Sequence, residues 1–350
     1  MPDAKPSHSR IESLGCVLPP TVVTNAELLA GTPVPAGVVE KVTGVKTRRM
    51  CDPSLGEDSH SLAVAAAADC LSRSRYAAAD LDVVVSASIT RIRAGRLTFE
   101  PSFAAGIARE IGATAALTFD VGNACAGTMT GILLLDRLIR AGKAGRGLVV
   151  SGEQATAISR TAARELRQAR DPRFASLTVG DSGVAVLVDG SADPADRIHD
   201  VHLQTSAGYS GLCLALPSDQ GPGIAMYTDT RGQQHPERME GGARFIADTF
   251  ARSGRAWADA RHERLIQHQI SASAVDRMNR LAARVSGEAA PPSPTVLAEL
   301  GNTATTSHFV VLHDQLERGE HPLGGPFLMV VAASGIVSGF LSATVSSVKV

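Results

Sequence analysis

The sequence lacks the cysteine pattern of a metal site or of a disulfide-linked scaffold. Its five cysteines are scattered, odd in number and without a CxxC pair, whereas structural zinc sites use closely spaced ligands and small secreted scaffolds use an even set. The pattern therefore predicts a reduced, cytoplasmic protein with at least one thiol free for chemistry and no bound metal.

Long apolar runs and long basic runs are also missing. The apolar stretches fall far short of the roughly 20 residues that a membrane span requires, and residues 1–10 have no apolar core of a secretory signal. The formal net charge is −1, which argues against binding to nucleic acid or to a membrane surface by charge. We expect neither kind of partner.

What is present is enough apolar sequence for a large core. With 350 residues, 44% of them hydrophobic, the chain could hold two domains or one fold of two similar halves. Strand-like and helix-like segments alternate, which predicts an α/β fold. Residues 180–188 and 334–342 resemble each other, so we expect two duplicated halves, 1–190 and 191–350, joined by the polar segment 191–197, with the active site where loops of both halves meet.

The hydrophobic patterns place the main elements. Strands are predicted at 81–88, 147–151, 184–188, 198–205, 265–267, 327–331 and 339–345. Helices are predicted at 58–72, 128–141, 240–252, 272–285 and 304–318. Residues 208–237 contain Pro217, Pro222 and Pro236 and are predicted to be a long loop, and 290–294 a proline-rich one.

Cys125 is the first candidate for chemistry. A strand-like run enters its segment, a helix-like run leaves it, and small residues flank the sulfur, as suits a tight turn close to a ligand. A thiol at the start of a helix has its pKa lowered by the helix dipole, which favours the nucleophilic thiolate. The alternative is a buried structural cysteine.

Two later residues complete a possible site. His268 follows a short strand and Asn302 precedes a helix; each alone is as easily a hydrogen-bonded histidine or a helix cap. Together with Cys125 they predict thioester chemistry, in which the thiolate takes an acyl group and the imidazole and amide donate hydrogen bonds to an oxyanion. Backbone N–H groups of Cys125 and of the Ser334–Gly335 turn could form a second oxyanion hole.

These motifs, taken in order, resemble the thiolase-superfamily condensing enzymes, and specifically β-ketoacyl-ACP synthase III. The matching segments are 14–20, 24–28, 43–49, the turn around Cys125, His268-Gln269, Gly301-Asn302-Thr303 and Ser334-Gly335. The resemblance implies a five-layered αβαβα fold, an obligate homodimer, Cys-His-Asn catalysis without metal or redox cofactor, and acyl-CoA or acyl carrier protein thioesters as substrates. It also places Arg48, Arg49, Phe99 and Ser334 among the expected substrate-binding residues.

The sequence departs from that family in three places. The usual His-Gln-Ala-Asn-x-Arg is replaced by residues 268–273, which lack the basic residue of the carrier-protein face. No tryptophan for the adenine of coenzyme A stands near 35–40, and Trp257, the only one, is expected to pack. The closing turn at 334–339 lacks aromatic residues. Docking of an acyl carrier protein is therefore expected to differ from docking in that family.

Other segments resemble the olefin- and pyrone-forming branch, which joins two acyl thioesters head to head without decarboxylation. These are residues 91–102, 173–180 and 226–229. In that branch a glutamate from the neighbouring subunit acts as base, and Glu100 matches it; burial would raise its pKa and strengthen the base. The alternative is that Glu100 is a charge at a helix N-terminus.

The expected function is a homodimeric condensing acyltransferase in specialised fatty-acid or polyketide-type biosynthesis. Cys125 carries the acyl group, His268 and Asn302 stabilise the enolate, and Glu100 is the candidate base. Three alternatives remain open: decarboxylative condensation with a malonyl thioester, acyl transfer to a hydroxyl or amine with His268 as general base, and a non-catalytic subunit of a heterodimer.

Overall fold

The structure is a computed structural model that describes residues 8–193, 195–254 and 260–350. Trp257, expected to pack, lies outside the described residues. No helix among the described residues is both long and apolar enough to cross a membrane.

The strands form two main sheets, one from each part of the chain. The first has the order β1-β9-β8-β4-β7 and the second the order β10-β15-β14-β13. Three two-stranded sheets, β2-β3, β5-β6 and β11-β12, lie outside them. The strands are β1 His8–Val17, β2 Val22–Thr24, β3 Thr47–Arg49, β4 Val83–Ser86, β5 Ile92–Arg93, β6 Arg96–Leu97, β7 Leu117–Asp120, β8 Arg146–Glu153, β9 Ser182–Ser191, β10 Arg197–Thr205, β11 Cys213–Pro217, β12 Ile224–Thr228, β13 Arg264–Gln267, β14 Pro326–Ala333 and β15 Val337–Thr344.

Helices connect these strands and cover the sheets. They are α1 Asn25–Leu28, α2 Ala36–Thr43, α3 Ser59–Arg73, α4 Phe103–Ile111, α5 Gly127–Arg140, α6 Thr156–Glu165, α7 Thr230–Gln233, α8 Pro236–Arg252, α9 Ala272–Ser286, α10 Leu297–Leu300 and α11 Ser307–Glu317. Local chemistry sets several ends: the Asp58 carboxylate accepts the N–H of Ser61 at the start of α3, and Gly287 ends α9 in the left-handed conformation.

The two sheets repeat one pairing scheme. β1 pairs antiparallel with β9 as β10 does with β15, and β4 pairs parallel with β8 as β13 does with β14. Each outer pair even carries an irregularity at the same point, between Ile11 and Ser13 and between Ile198 and Asp200. The predicted duplication of 180–188 and 334–342 is confirmed, because these segments lead into or through β9 and β15.

The layers follow from where the apolar faces pack. α5 contacts β1, β8 and β9 of the first sheet and β10 of the second, and α11 contacts β1 and β13, so both lie between the sheets. α3 and α4 cover the outer face of the first sheet, and α8 covers the second beside α9. The largest buried cluster joins residues of both sheets, such as Val186, Phe309 and Leu341. This is the five-layered αβαβα arrangement of the thiolase fold.

The prediction of a long loop at 208–237 was wrong. The segment contains a short 3₁₀ helix, the hairpin β11–β12 and the helix α7. Its prolines lie at the ends of these elements or between them, where a missing N–H is tolerated. Pro217 ends β11, Pro222 lies in the hairpin turn, and Pro236 is the first residue of α8.

The proline-rich segment 290–294 was correctly predicted to be a loop, and it limits the number of strands in the second sheet. The Leu265 N–H of β13 donates to the Pro292 carbonyl at 3.0 Å, so this segment runs along the edge where the first sheet has β7. Prolines have no N–H to donate and cannot continue a ladder of backbone hydrogen bonds. The second sheet accordingly has four strands against five in the first.

Candidate active site

Cys125 lies in a sharp connection between a strand and a helix. β7 ends at Asp120, a single 3₁₀ turn covers Ala124–Ala126, and α5 follows from Gly127. Ala124 has a φ of +46°, a conformation that a non-glycine residue adopts at a cost of order 1–3 kcal/mol. A Cβ on Gly127 would lie 2.8 Å from the Ala87 carbonyl, so only glycine lets α5 begin this close to β4.

The electrostatics of the thiol differ from the expectation. Burial, with the nearby Glu153 carboxylate second, raises the pKa of Cys125 to about 12. The predicted lowering of this pKa was wrong, because loss of water and a neighbouring negative charge both disfavour the thiolate. The resting thiol is protonated at neutral pH, so it acts as a nucleophile only where another group takes its proton.

Glu153 is the charge behind this effect, and it is fully buried at the end of β8. Its carboxylate has no cationic partner among the described side chains, yet it is saturated with hydrogen bonds. The donors are the N–H groups of Ile89 (2.9 Å) and Thr90 (3.0 Å) and the hydroxyls of Thr90 (2.6 Å), Ser151 (3.2 Å) and Thr305 (2.6 Å). These bonds join the ends of β4 and β8 to the second half of the chain.

Asn302 is held by a backbone contact between the two halves. Its N–H donates to the Thr178 carbonyl at 2.8 Å, and its carbonyl accepts the Gly180 N–H at 3.0 Å. The approach requires glycine twice: a Cβ on Gly301 would lie 2.3 Å from the Thr178 oxygen, and one on Gly180 would lie 2.0 Å from the Leu300 oxygen.

The side chain of Asn302 is oriented by its own turn. Its Oδ1 accepts the Ala304 N–H at 3.0 Å, while its Nδ2 has no acceptor among the described residues. The amide therefore presents its two N–H donors to the cavity, as an oxyanion-binding group would.

His268 follows β13 and stacks on a second histidine. The ring centroids of His268 and His308 lie 5.7 Å apart with 23° between their planes. The Val330 carbonyl accepts both the backbone N–H of His268 (3.1 Å) and the Nε2–H of His308 (2.9 Å). Burial lowers the pKa of His268 to about 3 and that of His308 to about 4, and the neighbouring His308 contributes to the first shift. Both imidazoles are neutral at pH 7.

The structure brings Cys125, His268 and Asn302 to the wall of one cavity of about 400 Å³, together with Ser334. The lining is mostly apolar and comes from both halves and from the hairpin β11–β12. A volume of a few hundred Å³ with a few convergent polar groups is typical of a small-molecule site. Gly335, with a φ of +76°, turns the chain between β14 and β15 beside Ser334.

Two predicted substrate-binding residues do not reach this cavity. Arg48 is fully buried, and its Nη2 donates to Asn25 Oδ1 (2.6 Å) and to the Leu177 carbonyl (2.9 Å). Arg49 donates to the carbonyls of Pro19 and Pro20. The expectation that Arg48 binds substrate is corrected. Its side chain has no exposed surface with which to contact a substrate, and it stabilises the segment before Thr178 through the Leu177 carbonyl.

Phe99 and Glu100 lie on the surface of their own chain. Phe99 is 76% exposed, Glu100 is exposed, and neither lines the cavity. The N-terminus of α4 is served by another carboxylate, since Asp120 accepts the N–H groups of Phe103 and Ala104, both at 2.9 Å. The alternative role of Glu100 as the helix-terminal charge therefore loses its main support.

Sequence reasoning missed several residues of the cavity wall: Glu153, Cys213, Arg238, Arg277 and, behind His268, His308. Glu153 had a signal, because a charged residue directly after a buried apolar run marks a strand end. Cys213 lies on the hairpin taken for a loop, and the two arginines lie on helices whose cavity-facing side no sequence pattern distinguishes.

Comparisons with known proteins agree with this geometry. The family model for 3-oxoacyl-(acyl-carrier-protein) synthase III matches residues 119–207, which include Cys125. A β-ketoacyl-(acyl-carrier-protein) synthase III of Deinococcus deserti is 27% identical over 342 residues, covering 95% of this chain and 91% of the relative.

Solved structures share the fold. Xanthomonas campestris OleA superimposes with a TM-score of 0.80 at 21% identity, covering 98% of this chain and 99% of OleA. The Aquifex aeolicus 3-oxoacyl-(acyl-carrier-protein) synthase III gives 0.78 at 21% identity, over 96% and 99% of the two chains. The chain therefore has the thiolase fold of condensing enzymes. Within that class it resembles β-ketoacyl-ACP synthase III over nearly its whole length, with OleA among its structural neighbours.

Proposed function

We propose that this chain is a condensing acyltransferase that loads an acyl group from a thioester onto Cys125 and joins it to a second acyl thioester. The observation that carries the proposal is the convergence of a thiol, a neutral imidazole and an amide N–H on one apolar cavity. Both reactants are acyl thioesters, and the proposed chemistry needs no metal or redox group.

In the first half-reaction, Cys125 Sγ attacks the thioester carbonyl, and the bond from that carbon to the donor sulfur breaks. The thiol proton passes to the leaving thiolate, with neutral His268 as the group in the cavity able to relay it. Because the thiol is protonated at rest, the enzyme avoids alkylation until a substrate enters and its carbonyl offers a reaction partner.

In the second half-reaction, the α-carbon of the acceptor thioester attacks the acyl-Cys125 carbonyl, the bond from the carbonyl carbon to Sγ breaks, and the β-keto thioester leaves while the Cys125 thiolate takes up a proton. The acceptor thioester becomes an enolate, and the N–H donors of Asn302 and neutral His268 stabilise its oxygen. A neutral histidine suits this role because it keeps one N–H donor without bringing a proton acidic enough to quench the enolate.

The α-proton must be taken by a base, and we propose Glu100 of a second copy of this chain. β7 is the edge strand of the first sheet. Leu117 on this strand is 62% exposed, and Phe99, which precedes Glu100, is 76% exposed. Two copies pairing antiparallel along β7 would cover these apolar groups. Since the turn of Cys125 and the segment of Glu100 both adjoin β7, the pairing would carry each Glu100 toward the partner's cavity.

The names of the structural neighbours support these assignments. Several OleA structures are variants in which a cysteine, a glutamate or a histidine is substituted, and one cysteine variant holds lauric acid and lauroyl-CoA. In OleA the substituted glutamate and histidine stand at chain distances from the substituted cysteine that match those of Glu100 and His268 from Cys125 to within one residue.

The first test is acylation. We expect wild-type protein incubated with lauroyl-CoA to gain one lauroyl group by intact mass spectrometry, and Cys125→Ala to gain none. A lauroyl adduct on Cys125→Ala, or no adduct on the wild type with any acyl-CoA, would contradict the covalent step.

The second test determines which subunit supplies the base and whether the condensation is decarboxylative. Cys125→Ala and Glu100→Ala proteins are each expected to be inactive, while a mixture re-equilibrated as dimers should regain about a quarter of the wild-type rate, because only mixed dimers hold one complete site. No recovery on mixing, with Glu100→Ala inactive, would place Glu100 in its own subunit's site. An active Glu100→Ala enzyme that releases CO₂ from a malonyl thioester would instead show decarboxylative condensation.

A further inference from the structure

Two arginines line the cavity of Cys125 without an acidic partner. Arg238 lies in the first turn of α8 and Arg277 in the second turn of α9. Among the described residues neither forms an ion pair, and the Nε atom of each is buried without a hydrogen-bond partner. Both side chains are half-buried, and a partly desolvated cation without a partner gains from binding an anion.

Neutral neighbours hold both guanidinium groups in place. Arg277 Nη2 donates to Gln234 Oε1 at 2.5 Å, and the guanidinium carbon of Arg238 lies 4.5 Å from the centre of the Tyr209 ring. These contacts orient each guanidinium group but use few of its N–H donors. The remaining N–H groups are available to a ligand.

Other arginines on these two helices do have an acidic partner. On the same helices, Arg244 and Arg284 both bind Glu240, at 3.0 and 2.6 Å. Within the cavity wall the acidic residue is Glu153, whose carboxylate is already saturated by hydroxyl and backbone donors. Two cations without an acidic partner therefore face a mostly apolar cavity.

We propose that Arg238 and Arg277 form a binding subsite for a negatively charged oxygen group of the substrate, a carboxylate or a phosphate. Guanidinium forks bind both groups through paired hydrogen bonds. The assignment rests on the function proposed above, since it makes the subsite part of the acyl thioester site. It implies that the acyl donor carries an anionic group that lies in the cavity while its thioester lies at Cys125.

The subsite is tested first without turnover. Isothermal titration compares hexanoate with hexanamide, which match in size and differ in charge. We expect hexanoate to bind at least tenfold tighter to wild-type protein and to lose that preference in the double variant Arg238→Gln/Arg277→Gln. Arg284→Gln, on α9 but paired with Glu240 outside the cavity, is the matched control and should keep it. Equal binding of the two probes to the wild type would overturn the proposal.

Acylation rates of Cys125 then identify where the anion sits. A tenfold or larger loss in the double variant with lauroyl-CoA, but not with lauroyl-pantetheine, assigns the subsite to a phosphate of the donor. The same loss with glutaryl-pantetheine, but not with butyryl-pantetheine, assigns it to a carboxylate on the acyl chain. An equal loss with all four thioesters would mean a general structural effect and would overturn the subsite.

The two proposals fail separately. If no thioester acylates Cys125 while hexanoate keeps its preference, the anion subsite stands and the condensing function falls. If acylation proceeds normally in wild type and double variant alike with every thioester, the function stands and the subsite falls.

Discussion

The turn that carries Cys125 has a counterpart in the second half of the chain, and the two use the same backbone. Ala124 and Ala304 both have positive φ, +46° and +57°, each begins a one-turn 3₁₀ helix, and each leads into a helix between the sheets. The residue after each alanine is Cys125 in one half and Thr305 in the other. One turn presents a thiol to the cavity, whereas the other buries a hydroxyl.

The difference between these turns lies in what each side chain contacts. Thr305 is 1% exposed and donates to Glu153, while Cys125 is only partly buried and lines the cavity. The second half contributes its chemistry three residues earlier, through Asn302. The two halves thus use the same turn for different purposes: one carries the proposed nucleophile, and the other carries the proposed oxyanion donor and a buried hydroxyl that supports Glu153.

Removing the amide from the second turn should have the largest effect. Asn302→Ala is expected to lower the condensation rate about 100- to 1,000-fold, as loss of one oxyanion donor does, while Cys125 still becomes acylated. Single-turnover acylation by mass spectrometry, beside steady-state product formation, checks the split. Equal loss in both steps would show that Asn302 serves the first half-reaction as well.

The contact that joins the two halves can be broken by one methyl group. Gly301→Ala would place a Cβ against the Thr178 carbonyl, at a φ of +69° and ψ of −161° that only glycine readily adopts. We expect a loss of about 3 kcal/mol or more in the free energy of unfolding. Gly287→Ala, also at positive φ but with open space around it, is the control and should cost about 1 kcal/mol. Urea denaturation of both proteins measures the difference.

The buried support of the second turn can be weakened without altering its shape. Thr305→Val removes the hydroxyl that donates to Glu153 at 2.6 Å, and hydrogen bonds to charged groups contribute about 1.5–3 kcal/mol. Thr305→Ser should restore most of that loss. Chemical denaturation of the three proteins checks this; a valine variant as stable as the wild type would leave the carboxylate sufficiently bonded by its other donors.

The paired histidines make stability depend on pH. Their pKa values, about 3 and 4, lie below the ordinary 6.5, so the unfolded chain binds more protons than the folded one between these values. Stability is therefore full above about pH 6.5 and falls as pH drops toward 4, by about 2 kcal/mol per histidine between pH 7 and pH 5. Denaturation curves at both pH values should show a smaller loss in His308→Asn, which cannot take up a proton.

The sequence was most informative where chemistry and local structure coincide. Order and motif identified Cys125, His268 and Asn302, and periodicity placed the strands and helices near their observed bounds. It failed where tertiary structure decides. No local pattern shows that Arg48 is enclosed on every side, that burial beside Glu153 raises the pKa of Cys125, or that residues 213–228 pair into a hairpin although they contain two prolines.

The hairpin β11–β12 has a consequence for how this fold diversifies. It supplies Cys213, Ala215, Met226 and Thr228 to the cavity wall but belongs to neither main sheet. Changes of length or side chain in the hairpin would reshape the cavity while Cys125, His268 and Asn302, the proposed catalytic residues, stay in place. The range of substrates could therefore change during evolution through changes in this hairpin, with little effect on the folding of the two main sheets.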